Sequence, residues 1–247
     1  IFGLKLNLGI SIRRKSRRLE NEIRLFINKM EIIGFGDSWV AGHGVEIDER
    51  YSDVPNEKIP DDILKVRLNG SLISQLANKL GFTWKNYGLC GASNSEIYNS
   101  FVEWYNGVET NGYVVVGFTT TSRDVIPSKT ERERGVNREL IDESEQITHL
   151  LFIYDRILNL CRDKNIGCIF FNAWDSSLDS EYENFWKPAD TMANLLLRKE
   201  KDVWQYGWGK KDYYKLIGKR GGWHPNIKGY KYIAEELYNF GLELKIW

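Results

Sequence analysis

From residue 30 onward, short apolar runs alternate along the chain with longer segments in which apolar positions recur at helical spacing. The clearest run is Tyr113-Val114-Val115-Val116, whose β-branched and aromatic side chains favour a buried strand. Strands are predicted at 31–35, 83–87, 112–117 and 166–171, and helices at 71–80, 95–105, 144–164 and 228–240. Because each helical crossover must pack back onto the sheet, this order predicts an α/β domain with three layers, α/β/α.

Two segments, 46–69 and 174–222, show no clear periodicity and are predicted to be long loops. Loops of this length in a compact domain usually serve a site, so we interpret them as walls of a substrate cleft. The second is rich in aromatic residues, including Trp204, Trp208, Tyr213 and Tyr214. For any single one of these aromatic side chains, packing on the core is the alternative interpretation.

Composition supports one large domain and narrows the class of partner. The 247 residues are 42% hydrophobic and 13% aromatic, which is enough to bury a large core. Lys plus Arg equals Asp plus Glu, at 34 each, so no net charge attracts nucleic acid or anionic lipid. No run approaches the ~20 apolar residues of a membrane span. We therefore expect a small-molecule or glycan substrate as the partner, with no nucleic acid and no membrane span.

Cysteine and histidine spacing predicts neither a metal site nor a disulfide framework. Cys90, Cys161 and Cys168 are odd in number and lack CxxC spacing, which suits a reducing compartment. His43, His149 and His224 do not pair with each other or with cysteine at ligand spacing. The chemistry is therefore expected to need no cofactor.

The first 29 residues differ from the rest of the chain. A basic run at 13–18 precedes a short amphipathic pattern, and Met30 stands just before the first predicted strand. We interpret 1–29 as a basic extension, helical or not native to the domain, and 30–247 as the functional domain. The segment lacks the long apolar core and cleavage site of a secretory signal, so a cytoplasmic or otherwise soluble protein is expected.

The strongest chemical signal is Gly36-Asp37-Ser38, directly after the first predicted strand. Parallel α/β sheets bind ligands at the carboxyl ends of their strands, and glycine permits a turn tight enough to expose the serine hydroxyl. A serine nucleophile needs a general base and donors for the oxyanion. His224, on a loop just before the last predicted helix with Asn226 as its N-cap, is the candidate base.

Candidate oxyanion donors follow the second and third predicted strands. Gly91 stands between a strand and a helix, where its backbone N–H can point into the crevice. The third strand ends at Gly117 and is followed by the hydroxyls of Thr119, Thr120 and Thr121. All of these positions belong to the same edge of the predicted sheet as Ser38 and His224.

The order of Gly36-Asp37-Ser38, Gly91, the Gly117 segment and His224-Pro225 resembles the SGNH or GDSL hydrolase family. Its sequence blocks carry Ser, Gly, Asn and His in that order, and the resemblance spans about residues 31 to 240. It implies the SGNH hydrolase fold, with a flavodoxin-like parallel sheet. It also implies that Ser38 is the nucleophile and His224 the base, that the N–H groups of Ser38 and Gly91 belong to the oxyanion hole, and that Asp37 is structural.

The chain departs from the family pattern at two positions. Thr119 stands where the family usually has the third-block Asn; its hydroxyl can donate to the oxyanion, and Thr120, Thr121 or Arg123 are the alternatives. Gly221 stands three residues before His224, where many members have Asp. The group that orients the imidazole is left open between a main-chain carbonyl and one of three carboxylates, those of Asp175, Asp179 and Asp212.

These residues predict a serine esterase that acts through an acyl-enzyme on Ser38. An O-acyl or O-acetyl group on a carbohydrate is the favoured substrate, because the aromatic side chains of 174–223 suit sugar rings, and lipid or thioester substrates stay open. The alternative is an SGNH-like binding or structural module that has lost activity at Thr119 and Gly221. A flavodoxin-like nucleotide binder is a third interpretation, disfavoured because Trp39 occupies the position of the third glycine in GxGxxG.

Overall fold

The computed structural model describes residues 30–45, 51, 54–107, 112–121, 143–173, 182–186, 191–198 and 224–247. The predicted extension 1–29 and most of the aromatic-rich segment 174–222 lie outside these residues, so the division at residue 30 stays a prediction. Within the described part of the chain, no helix has both the length and the apolar character needed to cross a membrane.

The described strands form a single parallel sheet in the order β2-β1-β3-β4. Their bounds are Glu31–Gly36 for β1, Thr83–Asn86 for β2, Gly112–Phe118 for β3 and Gly167–Asn172 for β4. Each predicted strand is confirmed to within one residue at either end. The pairing of β1 with β3 sets Gly36 opposite Gly117, so both strands end at the same level of the sheet.

Helices follow every strand. They are α1 (Ser38–Ala41), α2 (Asp61–Gly70), α3 (Leu72–Leu80), α4 (Asn94–Gly107), α5 (Glu143–Asp163), α6 (Met192–Leu197) and α7 (Ile227–Glu243), with a 3-10 turn at Asn56–Lys58. The four predicted helices correspond to α3, α4, α5 and α7. Ser93 and Glu96 form a capping box at the start of α4, since each backbone N–H donates to the other's side chain.

Alternating residues of the strands face two separate cores. Ile32 and Ile169 belong to a cluster with α3, α6 and α7, whereas Ile33 and Phe170 belong to a cluster with α4 and α5. Side chains alternate between the faces of a strand, so each cluster covers one face of the sheet. The predicted three-layer α/β/α fold is confirmed.

The prediction that 46–69 is a loop was wrong, because α2 occupies its second half. This helix buries only Arg67 and Gly70, so it has no apolar stripe from which periodicity could reveal it. Its start signals were present, since Pro60 precedes two acidic residues in the first turn, where negative charge suits the helix dipole. Part of 174–222 is helical as well, at α6, where the Thr191 hydroxyl accepts a hydrogen bond from Asn194 N at 3.0 Å.

The strand order places a topological switch point at β1. The chain leaves β1 to pair β2 on one side and returns to pair β3 on the other, with α3 packed on one face of the sheet and α4 on the other. Crossovers that diverge in this way open a crevice at the carboxyl ends of the central strands. The segments that follow β1, β2 and β3 all reach that edge.

Candidate active site

Ser38 is the first residue of α1, which begins directly after β1. The Asp37 side chain caps this helix, because its Oδ1 accepts a hydrogen bond from Trp39 N at 3.0 Å. Space at the end of β1 is tight: a Cβ on Gly36 would lie 2.3 Å from Val40 Cγ2 and 2.9 Å from the Gly117 carbonyl oxygen. A glycine is therefore required for α1 to fold back over the strand and present Ser38 at the sheet edge.

His224 lies two residues before the N-cap of α7. The predicted cap is confirmed, since Asn226 Oδ1 accepts from Lys228 N at 2.9 Å and from Gly229 N at 3.1 Å. The imidazole Nε2 of His224 is 2.9 Å from Ser38 Oγ, and the two residues are 8% and 6% exposed. This is hydrogen-bond distance between a hydroxyl and a base in a largely buried site, as proton transfer requires.

Gly91 lies in the turn between β2 and α4 and has a φ of +73°, in the left-handed region. A Cβ at this position would meet nothing within 4 Å, so the backbone conformation alone favours glycine here. The turn is fastened beside Ser38, because Leu89 N donates to the Gly36 carbonyl at 2.9 Å. The oxyanion role of the Gly91 N–H stays a prediction.

The structure places Thr119 at the end of β3, next to Asp37. Its hydroxyl donates to Asp37 Oδ2 at 3.0 Å, and the residue is 1% exposed. A threonine hydroxyl has one proton, so in this arrangement Thr119 has none left for an oxyanion beside Ser38. Of the alternative donors, Thr121 is buried, Thr120 is half-buried and Arg123 lies outside the described residues.

Asn94 was missed by the sequence interpretation. It is fully buried in the first turn of α4, and its side chain bonds to both main-chain groups of Thr119. Thr119 N donates to Asn94 Oδ1 at 3.0 Å, and Asn94 Nδ2 donates to the Thr119 carbonyl at 3.2 Å. The capping box could have located this position at the start of a helix, but no sequence signal identifies its partner.

A second network, also missed, surrounds His43 behind the candidate base. His43 is completely buried, and its ring centroid lies 5.4 Å from that of His224. Its Nε2 is 3.1 Å from Arg67 Nη1. Because arginine only donates, His43 Nε2 can act only as the acceptor in this contact.

Arg67 also connects the site to the chain that follows α1. Its guanidinium also lies within hydrogen-bond distance of three oxygen atoms: Tyr51 O at 2.6 Å, Val54 O at 2.8 Å and Asn56 Oδ1 at 2.9 Å. The Tyr230 hydroxyl of α7 donates to the His43 carbonyl at 2.7 Å. The turn after α1 is therefore held by α2 and by the helix that follows His224.

The group that orients His224 stays a prediction. Gly221 and the three candidate carboxylates of Asp175, Asp179 and Asp212 are all outside the described residues, so the choice among them stays open. Within the described residues, no group of three His, Cys, Asp or Glu side chains could hold a metal ion.

No protein-family model and no curated protein matches the sequence. Among solved structures, a protein of the lipolytic G-D-S-L family from Desulfitobacterium hafniense is similar over 85% of this chain and 98% of its own, with a TM-score of 0.48 and 14% identity. The esterase EstA from Pseudoalteromonas matches over 87% of this chain and 98% of its own, with a TM-score of 0.42 and 10% identity.

A third similar structure is a family two carbohydrate esterase from Clostridium thermocellum in complex with cellohexaose. It matches over 89% of this chain and 66% of its own, with a TM-score of 0.45 and 14% identity.

Proposed function

We propose that the protein is a serine ester hydrolase in which Ser38 is the nucleophile and His224 the general base. The observation that carries this proposal is the 2.9 Å contact between Ser38 Oγ and His224 Nε2. A serine hydroxyl is a weak nucleophile until a base within hydrogen-bond reach takes its proton. The pair is largely buried and lies at the switch point of a parallel sheet, where α/β proteins bind their ligands.

In the proposed reaction, His224 Nε2 accepts the Ser38 proton as Oγ attacks the ester carbonyl carbon. For this the imidazole must carry its own proton on Nδ1. The tetrahedral intermediate collapses with cleavage of the carbon–oxygen bond, and His224 gives its proton to the departing alcohol, leaving an acyl group on Ser38. Water then attacks the acyl-enzyme with His224 as base, which releases the carboxylic acid and restores the Ser38 hydroxyl.

The negative charge on the intermediate requires nearby donors. We assign this role to the backbone N–H groups of Ser38 and Gly91. The first begins α1, and the second belongs to a turn that is bonded to the end of β1 through Leu89. Both are main-chain donors held by the fold, so neither needs to reorient as the charge develops.

The proposed substrate is a carboxylic ester, and an O-acyl or O-acetyl group on a carbohydrate is the favoured class. Its support is the aromatic content of 174–223, since flat aromatic faces suit sugar rings. This class is tested by comparing two rates. One is the hydrolysis of acetylated oligosaccharides, measured as released acetate, and the other is the hydrolysis of p-nitrophenyl esters with longer acyl chains.

The decisive experiment combines p-nitrophenyl acetate hydrolysis with labelling by a fluorophosphonate probe. We expect the probe to modify Ser38, as located by peptide mass spectrometry, and Ser38→Ala to lose both signals. The chain offers a matched control, because Ser95 Oγ and His149 Nε2 also lie 3.0 Å apart, in an exposed position. His149→Gln should retain full activity. Absence of labelling in the folded wild type would favour the inactive binding module.

A further inference from the structure

A series of buried hydrogen bonds links the ends of three strands next to Ser38. It runs from Asn94, after β2, through Thr119, after β3, to Asp37, after β1. These residues are 0%, 1% and 1% exposed. The last member of this series is the Asp37 carboxylate, which caps α1 one residue before Ser38.

We propose that Thr119 and Asn94 are positioning residues that fix Ser38 through Asp37, and that Thr119 is not an oxyanion donor. The inference rests on the proposed function of Ser38. It assigns Thr119 a role different from the one its place in the sequence implies. The oxyanion hole then depends on main-chain N–H groups.

The direction of the Thr119 hydroxyl follows from the charges and the backbone around it. A buried carboxylate requires donors, and a hydroxyl bond to an ionised oxygen is about twice as strong as a neutral one. Thr119 is β-branched, so its χ1 angle is stiff. Asn94 holds both the N–H and the carbonyl of Thr119, as a neighbouring strand would, which keeps the backbone that aims this hydroxyl in place.

Asp37 links this hydrogen-bond network to the position of Ser38. One oxygen accepts from Trp39 N at 3.0 Å and the other from Thr119 Oγ1 at 3.0 Å. The Asp37 carboxylate therefore ties the first turn of α1, which contains Ser38, to the end of β3. Loss of the threonine bond would let the carboxylate rotate and shift the first turn of α1 relative to His224.

The test compares Thr119→Val, which keeps the shape but removes the hydroxyl, with Thr119→Ser, which keeps the hydroxyl. We expect Thr119→Val to lower kcat for p-nitrophenyl acetate about 10- to 100-fold, the range for a hydrogen bond to a charged group, with little change in KM. Thr119→Ser should restore most of the rate. Thr148→Val removes a hydroxyl bond to the Ser144 carbonyl on the exposed side of α5 and should leave kcat unchanged.

A double-mutant cycle separates positioning from oxyanion donation. If Thr119 acts through Asp37, Thr119→Val should change kcat less than about twofold in an Asp37→Ala background, because coupled residues are not additive. An equal fall in both backgrounds would overturn the inference. Should Asp37→Ala not fold, Asn94→Asp is the second variant. Asn94→Asp loses the donor to the Thr119 carbonyl, so it should lower kcat with KM unchanged. An unaltered kcat in Asn94→Asp would also overturn the inference. An unlabelled wild type would instead refute the proposed function.

Discussion

Ser38 Oγ and His224 Nε2 lie 2.9 Å apart although 186 positions separate them in the sequence. Ser38 depends on the end of the central strand β1, and His224 on the start of the last helix. The Tyr230 hydroxyl bridges the two elements, because it belongs to α7 and donates to the carbonyl of His43 in the turn after α1. The pair therefore forms only when the first strand and the last helix are both docked.

Removal of either member of the pair should abolish most turnover. We expect Ser38→Ala and His224→Ala each to lower kcat by about 10⁴- to 10⁶-fold, and the double variant to lose no more than the worse single one, because residues acting as a unit are not additive. Steady-state hydrolysis of p-nitrophenyl acetate measures this. Multiplicative losses in the double variant would mean that the two residues act independently.

Loss of the Tyr230 hydroxyl should loosen the contact between α7 and the turn after α1. Tyr230→Phe is expected to reduce the free energy of unfolding by about 1 kcal/mol, the usual worth of one hydrogen bond, and to lower kcat more than it changes KM. Tyr238→Phe, on the same helix, is the control and should leave kcat unchanged. Urea denaturation and steady-state kinetics report the two quantities; equal kcat values would show that this bond does not position His224.

Arg67→Met should be among the most destabilising changes in the chain. It removes the buried donor of the half-buried Tyr51, Val54 and Asn56 oxygens, and one hydrogen bond to a charged group is worth about 1.5–3 kcal/mol. Lys65→Met, on the exposed side of the same helix, should change stability by less than about 0.5 kcal/mol. Chemical denaturation of both variants checks the contrast, which fails if the two variants unfold alike.

Comparing alanine substitutions at Gly91 and Gly81 separates the effect of backbone strain on stability from any effect on kcat. Both have a φ near +70°, at +73° and +72°, and a Cβ at either would meet nothing within 4 Å. Substitution by alanine should therefore destabilise each variant by a similar amount, about 1–2 kcal/mol. Only Gly91→Ala should also lower kcat, because only that turn carries a proposed oxyanion donor. Similar kcat values for the two variants would remove Gly91 from the oxyanion hole.

The raised pKa of the Tyr154 hydroxyl leads us to expect a loss of stability at alkaline pH. Burial raises the pKa of its hydroxyl above the ordinary value, and the nearby Glu183 carboxylate adds to the shift. Because the folded-state pKa is the higher one, the stabilisation is complete below the unfolded value of about 10 and is lost as the pH rises above it. Tyr154→Phe lacks the hydroxyl and its bond to the Glu183 carbonyl at 2.7 Å. Unfolding measured across this range should show a shallower alkaline decline for the variant.

Strands β1, β3 and β4 were predictable because burial on both faces leaves continuous apolar runs, as at Tyr113-Val114-Val115-Val116. Helix α2 was not, since the side chain it buries most fully is that of Arg67, which reads as a solvent-exposed residue in the sequence. Helix α1 is only four residues long, too short for any periodicity. Patterns thus locate the longer elements that bury apolar side chains and miss those that are short or that bury polar ones.

By itself, the sequence determined the alternation of strands and helices, the glycines beside Ser38 and the cap at Asn226, because these depend on local patterning and on backbone sterics. The tertiary structure alone decided that His224 meets Ser38 and that Thr119 donates to Asp37. It also decided that Arg67 and Asn94 belong to the networks around the site. Hydrogen bonds form at about 3 Å, and only the packing of helices on both faces of the sheet brings such distant segments that close.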